Sequence, residues 1–377
     1  MLFGRTTSRL LYGLNADMPR PLVSVMIATR DRAPELRRTL ELVRQQHYDS
    51  LEIVVIDDGS REPVEPVVRE LFPQAVVVRH EDSQGQCQRR NEGFAVSKGE
   101  FILQLDDDCC LACAQDLDAA ATYLAERPTA GAVVFDLYNG AVLPDGLPPS
   151  NAMPGCVRSF VGAAILFRTD AIRQTAGYRT FYQAQGEEDE LALQLLGRGW
   201  QILYCPWILA HHRLSALNRN SLATWRRGLG NDIWTLVLHL PARRLPVEIG
   251  WKLVVAAWDA LRLLRFATFC QGVWRCLLGL RRAWRLRSVF SPVALRRYDA
   301  LRLRSVLTES EFDNPPAKSL GDFSGWWSRW RNRARNASRW EDKTDMGSSS
   351  IVRYAHEFPV AQDDATRLVH KGKDRSS

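Results

Sequence analysis

Several things are missing from this sequence of 377 residues. It has no run of eighteen apolar residues, so no helix long enough to cross a bilayer is expected. The best stretch, Trp251 to Trp274, is interrupted by Lys252, Asp259, Arg262 and Arg265. Residues 1–20 lack an apolar core of signal-peptide length and are expected to form a loose leader. Cys109, Cys110 and Cys113 cluster, but no second cysteine pair follows at zinc-ligand spacing. The eight cysteines are therefore read as reduced, ordinary thiols of a cytosolic protein. No internal repeat and no nucleic-acid-binding module is recognisable. Acidic charge is outweighed: the net charge is +7, which calls for an anionic partner such as a phosphorylated substrate or an acidic membrane face.

What is present is organised around Phe101-Ile102-Leu103-Gln104-Leu105-Asp106-Asp107-Asp108. A short apolar run reads as a buried strand of a parallel sheet. It delivers three carboxylates to the strand's C-terminal edge, where open α/β sheets bind ligands. Side chains alternate along an extended chain, so Asp106 and Asp108 share one side. A hard cation such as Mg²⁺ or Mn²⁺ would relieve their repulsion; a solvated acidic turn is the plainer alternative.

Strands and helices alternate up to about residue 212. Strands are expected at 23–28, 53–56, 75–79, 101–105, 131–136 and 161–167, with further pieces at 202–205 and 208–210. Helices are expected after Pro34, near 62–72, around Arg89-Arg90-Asn91, over 113–126 and from Gly186-Glu187-Glu188-Asp189-Glu190. This alternation predicts a doubly wound, mainly parallel α/β sheet over 21–220. Residues 221–307 read as basic amphipathic helices rich in tryptophan, of which the whole chain has 12. Arginine and tryptophan so mixed suit contact with an anionic membrane surface, or a core face with arginine stems along it. Residues 308–377 are polar and expected to be mostly disordered, with one short helix near 323–340.

These motifs, in this order, resemble the family 2 glycosyltransferases of the GT-A fold. Val23-Ser24-Val25-Met26-Ile27-Ala28-Thr29-Arg30-Asp31-Arg32 is similar to the family's first strand and nucleotide loop, with Ala28, Arg30 and Asp31 replacing the usual Pro, aromatic and Asn. Asp57-Asp58-Gly59-Ser60, Arg90-Asn91-Glu92-Gly93, Lys98-Gly99-Glu100 and Asp106-Asp107-Asp108 resemble the motifs that follow, and Gly186 to Leu191 the catalytic-base region. Gly199-Trp200 and Pro206 to His212 resemble the closing strand, which in the family often ends in a metal-binding His.

The resemblance implies an inverting transfer of one sugar from a nucleotide-sugar donor to a glycan or lipid-linked acceptor, in cell-envelope polysaccharide synthesis on the inner face of the membrane. A divalent metal, Mg²⁺ or Mn²⁺, would sit on Asp108 with Asp106 and His212, with His211 the competing histidine. Ala28, Thr29, Arg30, Asp57, Asp58, Arg90, Asp106 and Asp107 would line the donor site. Alignment on Leu191 and Gly199 selects Glu188 as general base, with Asp189 competing. The Gln-x-x-Arg-Trp motif of processive synthases has only the near match Asn336-Ala337-Ser338-Arg339-Trp340, in the polar tail. A nucleotidyltransferase would want a Gly-rich loop after the first strand, which Thr29-Arg30-Asp31-Arg32 is not. A non-catalytic membrane-surface scaffold would have no use for the intact carboxylates. Arg89 and Arg90 could alternatively solvate a helix face, and Asp57-Asp58-Gly59-Ser60 form a plain turn.

Overall fold

A computed structural model of the chain describes residues 20–147, 150, 152–182, 184–213, 221–315 and 350–352. The leader up to residue 19 and the expected helix near 323–340 lie outside them.

The sheet runs in the order β3-β2-β1-β4-β8-β6-β9-β5. Its first half comprises β1 (Val23–Thr29), β2 (Leu51–Asp57), β3 (Val76–Arg79) and β4 (Phe101–Asp106), all parallel. Helices α1 (Ala33–Arg44), α2 (Glu65–Leu71) and α3 (Gln86–Val96) make the crossovers. Past β4 the pairing changes. β8 (Ala164–Arg168) enters antiparallel between β4 and β6 (Ala130–Asn139), and β6 pairs parallel with β9 (Gln201–His212). β5 (Cys109–Leu111) and β7 (Gly155–Cys156) pair antiparallel with β9. The expected α/β sheet is therefore present.

Period-two alternation divides the strand residues between two cores. Val25, Ile27, Val55, Leu103 and Leu105 join one cluster, while Met26, Val54, Ile56 and Ile102 join the other. Both faces are covered, which explains why these strands read as unbroken apolar runs. The two strand pieces expected at 202–210 are one continuous strand. The β6/β9 register jumps between the Phe135–Cys205 and Asp136–Leu209 pairs, and Pro206, which has no N–H to give the ladder, falls in that irregularity.

The shorter helices α4 (Asp116–Ala125) and α5 (Thr169–Arg173) flank the sheet, and α6 (Glu187–Gly197) carries the acidic cluster. Four helices follow: α7 (Ser221–His239), α8 (Leu245–Arg262), α9 (Phe266–Arg285) and α10 (Pro292–Leu303). Leu229, Ile233, Trp234, Val237 and Leu238 of α7 belong to the same buried cluster as the sheet, so the core crosses the boundary expected at residue 220. Trp234 seats on α9 at Gly279, where a Cβ would fall 2.1 Å from the indole, and its Nε1 donates to the Cys276 carbonyl at 2.9 Å.

Two described parts of the segment expected to be disordered are ordered. Thr308 and Glu311 form a reciprocal cap on α11 (Glu309–Asp313), and Phe312 is buried in the core. β10 (Ser350–Val352) pairs antiparallel with β6. Local polarity hid both, because their anchors are distant in sequence: Arg127 reaches Glu309, Arg297 the Phe312 carbonyl, and β10 pairs with β6.

Gly279→Ala should destabilise the chain by about 1–3 kcal/mol, the usual cost of overpacking. Urea unfolding followed by tryptophan fluorescence measures it, and an unchanged midpoint would refute the close seating.

Candidate active site

The acidic turn sits where β4 ends. The Asp106 N–H donates to the Ala163 carbonyl at 2.9 Å, closing the strand. The chain then turns through Asp107 and Asp108 into β5, whose pairing sets Cys109 opposite His212 and Cys110 opposite His211. That register brings a residue 104 positions away beside the aspartates: His212 Nε2 lies 3.2 Å from Asp108 Oδ1. Its Nδ1 faces Asn139 Oδ1 at 3.1 Å. One ligand atom each from Asp106, Asp108 and His212 lies within 4.8 Å of the others. Two carboxylate oxygens and an imidazole suit a borderline divalent ion such as Mn²⁺ as well as Mg²⁺ with waters. His211 is turned away and donates from Nε2 to the Gly140 carbonyl at 2.7 Å; burial lowers its pKa.

Asp107 lies in the turn itself, beyond the end of β4, and is not one of the three groups that converge. It accepts from Thr29 Oγ1 at 2.7 Å and pairs with Arg32 at 2.7 Å. Burial nonetheless pushes its carboxyl up to about 7, against the pull of Arg32 and Thr29. Arg32 also reaches Asp108 Oδ2 at 2.5 Å, so one guanidinium spans two of the three acids. Arg213 supports the turn from beneath: its N–H donates to the Asp108 carbonyl at 2.9 Å, and its Nη2 to Thr39 Oγ1 at 2.7 Å. Neither arginine carries a local sequence signal, since their partners lie far along the chain.

The turn after β2 lies alongside. Asp57 is fully buried; its Oδ1 accepts from the Ser60 N–H at 2.9 Å, while its Oδ2 has no hydrogen-bond partner, Arg79 Nε standing 3.7 Å away. Asp58 is not an open ligand-binding group. Its oxygens accept from Ser83 Oγ (2.7 Å), Gln84 N–H (2.8 Å), Gly85 N–H (3.0 Å) and Arg89 Nε (2.6 Å). Burial alone would raise its pKa; these donors outweigh that and hold it low. Ala28 pairs with Ile56 and Asp106 in the sheet register, and Asp31, at φ 54°, links this loop to Ser60 and Arg61. Arg30 is half-exposed and pairs at 3.9 Å with its neighbour Asp31, not with the acids of the turn after β4.

Arg89 and Arg90 are buried, which overturns the solvated-face alternative. Arg90 Nη2 donates to Asp106 Oδ1 at 2.6 Å, and its Nη1, without a hydrogen bond, faces Glu188 Oε1 at 3.8 Å. Arg90 therefore joins Asp106 at the end of β4 to Glu188 of α6. A Cβ at Gly162 would lie 2.7 Å from Glu188 Oε1 and 2.9 Å from Arg90 Nη1, so a side chain there would push on both groups. Burial and the neighbouring Glu187 push the Glu188 carboxyl up to about 8, with Arg90 opposing. Asp189 is engaged by the Ser159 hydroxyl and Glu187 by Gln86. None of the eight cysteines is in a disulfide, and burial drives the Cys109 thiol well up.

Residues 24–158 match the sequence model of a family described as Glycosyl transferase family 2. The chain carries a family 2 glycosyltransferase domain. Its α/β sheet, with the acidic turn at the C-terminal edge of β4, has the architecture expected of the GT-A fold. An uncharacterized glycosyltransferase of Haemophilus influenzae is 36% identical over 89 residues, 24% of this chain and 30% of that protein. The pre-mycofactocin glycosyltransferase of Mycobacterium tuberculosis is 27% identical over 278 residues, covering 66% of this chain and 56% of that one. The matches thus span only about a third to a half of these relatives. The mannosyltransferase PcManGT from Pyrobaculum calidifontis, solved in complex with GDP-Man and Mn2+, superposes with a TM-score of 0.49 at 19% identity, over 69% of this chain and 88% of that one.

The raised Glu188 pKa has a stability consequence. Between the ordinary carboxylate value and about 8 the folded state holds a proton that the unfolded state has lost, so stability falls as pH rises through this window. Glu188→Gln removes that loss. The variant should gain stability over the parent progressively from pH 5 to pH 9, read as the difference between their urea midpoints; a gap that does not change with pH would contradict the shift.

Proposed function

We propose that the chain is an inverting glycosyltransferase that moves one sugar from a nucleotide-sugar donor to a hydroxyl of a glycan or lipid-linked acceptor in envelope polysaccharide synthesis. The observation that carries this reading is the convergence of Asp106, Asp108 and His212 within 4.8 Å, with Glu188 standing across Arg90 from them. Asp106, Asp108 and His212 would hold a divalent ion, Mg²⁺ or Mn²⁺, which when bound neutralises charge on the leaving diphosphate as a Lewis acid. Arg90 fixes the direction of Asp106 and keeps a positive charge beside the cleft. The buried Oδ2 of Asp57, which accepts no hydrogen bond, offers an acceptor for a ring N–H of the nucleobase. Glu188 takes the proton of the acceptor hydroxyl as its oxygen attacks the anomeric carbon. No second carboxylate is assigned as nucleophile, which leaves a single displacement with inversion.

The partners extend to an anionic membrane surface. Val247, Val254, Trp258 and Leu261 form one exposed stripe on α8, and Phe266, Trp274, Leu277 and Leu278 are exposed on α9. Among the described residues no helix is long and apolar enough to cross a membrane. Between Asp259 and Asp299 the sequence holds nine arginines and no acidic residue. Apolar rings at the surface with arginine around them are the chemistry of interfacial seating on anionic lipid.

A panel of nucleotide sugars, assayed for metal-dependent release of nucleoside diphosphate, tests the activity. Glu188→Gln should lower turnover by about 10²–10⁴-fold with nucleotide binding unchanged. Asp189→Asn should be milder, and the rate of the parent should climb with pH up to about 8 as Glu188 ionises. Asp108→Ala should cost about 10²-fold or more through the lost ion. Retained activity in Glu188→Gln removes the base, and full activity in excess chelator removes the metal.

The chain should bind vesicles of phosphatidylcholine with phosphatidylglycerol at low salt and leave them at high salt. Trp274→Ser with Leu277→Ser should weaken binding about tenfold or more. Equal affinity for vesicles of phosphatidylcholine alone would rule out the anionic surface.

A further inference from the structure

The helix bearing Glu188 has no cap of its own. The residue before it, Gly186, makes no side-chain capping bond, and the turn leading in takes two successive left-handed residues, Gln185 at φ 72° and Gly186 at φ 83°. A glutamine in that region is strained, so the turn must be held from outside.

Asn231 of α7, completely buried, does the holding. Its Nδ2 shares its two hydrogens among the carbonyls of Tyr182 (3.2 Å), Ala184 (2.9 Å) and Gln185 (2.5 Å). These carbonyls belong to an irregular segment with no strand to pair them, so one amide serves the backbone of the whole turn. The amide is oriented in its turn. Arg275 of α9 donates from Nη1 to Asn231 Oδ1 at 3.0 Å and to the Arg227 carbonyl at 3.0 Å. Its Nη2 reaches the Tyr182 carbonyl at 3.2 Å and the Phe181 carbonyl at 3.4 Å. The guanidinium lies 4.7 Å over the Trp234 ring. Two turns further along α7, His239 Nε2 lies 3.0 Å from Oε1 of the fully buried Glu190, which Arg179 Nε also approaches at 3.3 Å. Helix α6 is thus moored to α7 on both sides of Glu188.

We propose that Asn231 and Arg275 are positioning residues for the transfer: a clamp from the C-terminal helices that fixes the Gln185–Gly186 turn and so aims Glu188. The role in turnover rests on reading Glu188 as the base; the clamp itself does not.

The test is hydrogen–deuterium exchange on the full chain, with turnover measured as nucleoside diphosphate released from UDP-, GDP- and dTDP-sugars in Mn²⁺. Asn231→Asp keeps the acceptor for Arg275 but sets a carboxylate against three carbonyls. Arg275→Lys keeps the charge but cannot fork between the amide and the backbone. Both should speed exchange of the 182–190 amides by about tenfold or more while leaving 101–108 protected. Both should lower kcat by about 10–10²-fold with the donor KM unchanged, as expected for a misaimed group. Unchanged exchange over 182–190 in both variants overturns the clamp, and so does equal acceleration across the sheet, which would mark general loosening. If Glu188→Gln leaves turnover intact, the base reading fails while the exchange result still judges the clamp.

Discussion

Too many carboxylates meet in too little water at the C-terminal edge of this sheet, and the surrounding structure answers that constraint. Asp107, Asp108, Glu187 and Glu190 are buried within the turn after β4 and the first turn of α6. Burying such charges is costly unless each finds a partner. Arginines drawn from distant parts of the chain supply the partners: Arg32 for Asp107 and Asp108, Arg90 for Asp106, Arg179 for Glu190. Where compensation is incomplete, at Asp107 and Glu188, the carboxyl pKa rises towards neutrality. A group poised there is what proton transfer at neutral pH asks for.

The second dependence runs through the C-terminal helices. They look like an appendage in sequence, because their composition changes abruptly after the sheet ends. In the fold they share the sheet's core: Trp234 is received by Gly279, and Asn231, His239 and Arg275 reach back to the segment that carries Glu188. The same α9 that supplies Arg275 exposes Trp274, Leu277 and Leu278 on its outer side. A helix with one face built into the site and the other apolar and rimmed by arginine cannot be removed without disturbing both.

Much of this was legible in the sequence. β-branched runs ending in acids specified the strands and their C-terminal edges, since a fully buried strand must be apolar throughout and can place charge only where it emerges. Alternation along an extended chain points Asp106 and Asp108 to one side, and the two do converge, although the chain already turns at Asp107 and Asp108 and Arg32 reaches both. The resemblance carried by ordered motifs pointed to the family, and the match over residues 24–158 agrees. Three kinds of feature were not legible. Asp58 reads like a ligand-facing acid, yet it organises a loop, because the identity of a carboxylate's donors depends on which backbone N–H groups fold over it. A solvated helix face was an equal reading for Arg89 and Arg90, yet both are buried against acids from other elements. Short ordered pieces such as Glu309–Asp313 were hidden by polar composition, since the groups that dock them, Arg127 and Arg297 among them, lie elsewhere in the chain.

The sequence by itself thus determined which residue types lie along each strand, where the charge emerges, and that α/β crossovers join the strands, because periodicity and turn chemistry act within a few residues. Only the tertiary structure decided who meets whom. The β5/β9 register chose His212 over His211 for Asp108; packing of α7 and α9 chose the groups that hold the Gln185–Gly186 turn. Such choices are made by pairings across 46 to 104 residues, such as Gln185 with Asn231 and Asp108 with His212, where no local rule of the chain applies.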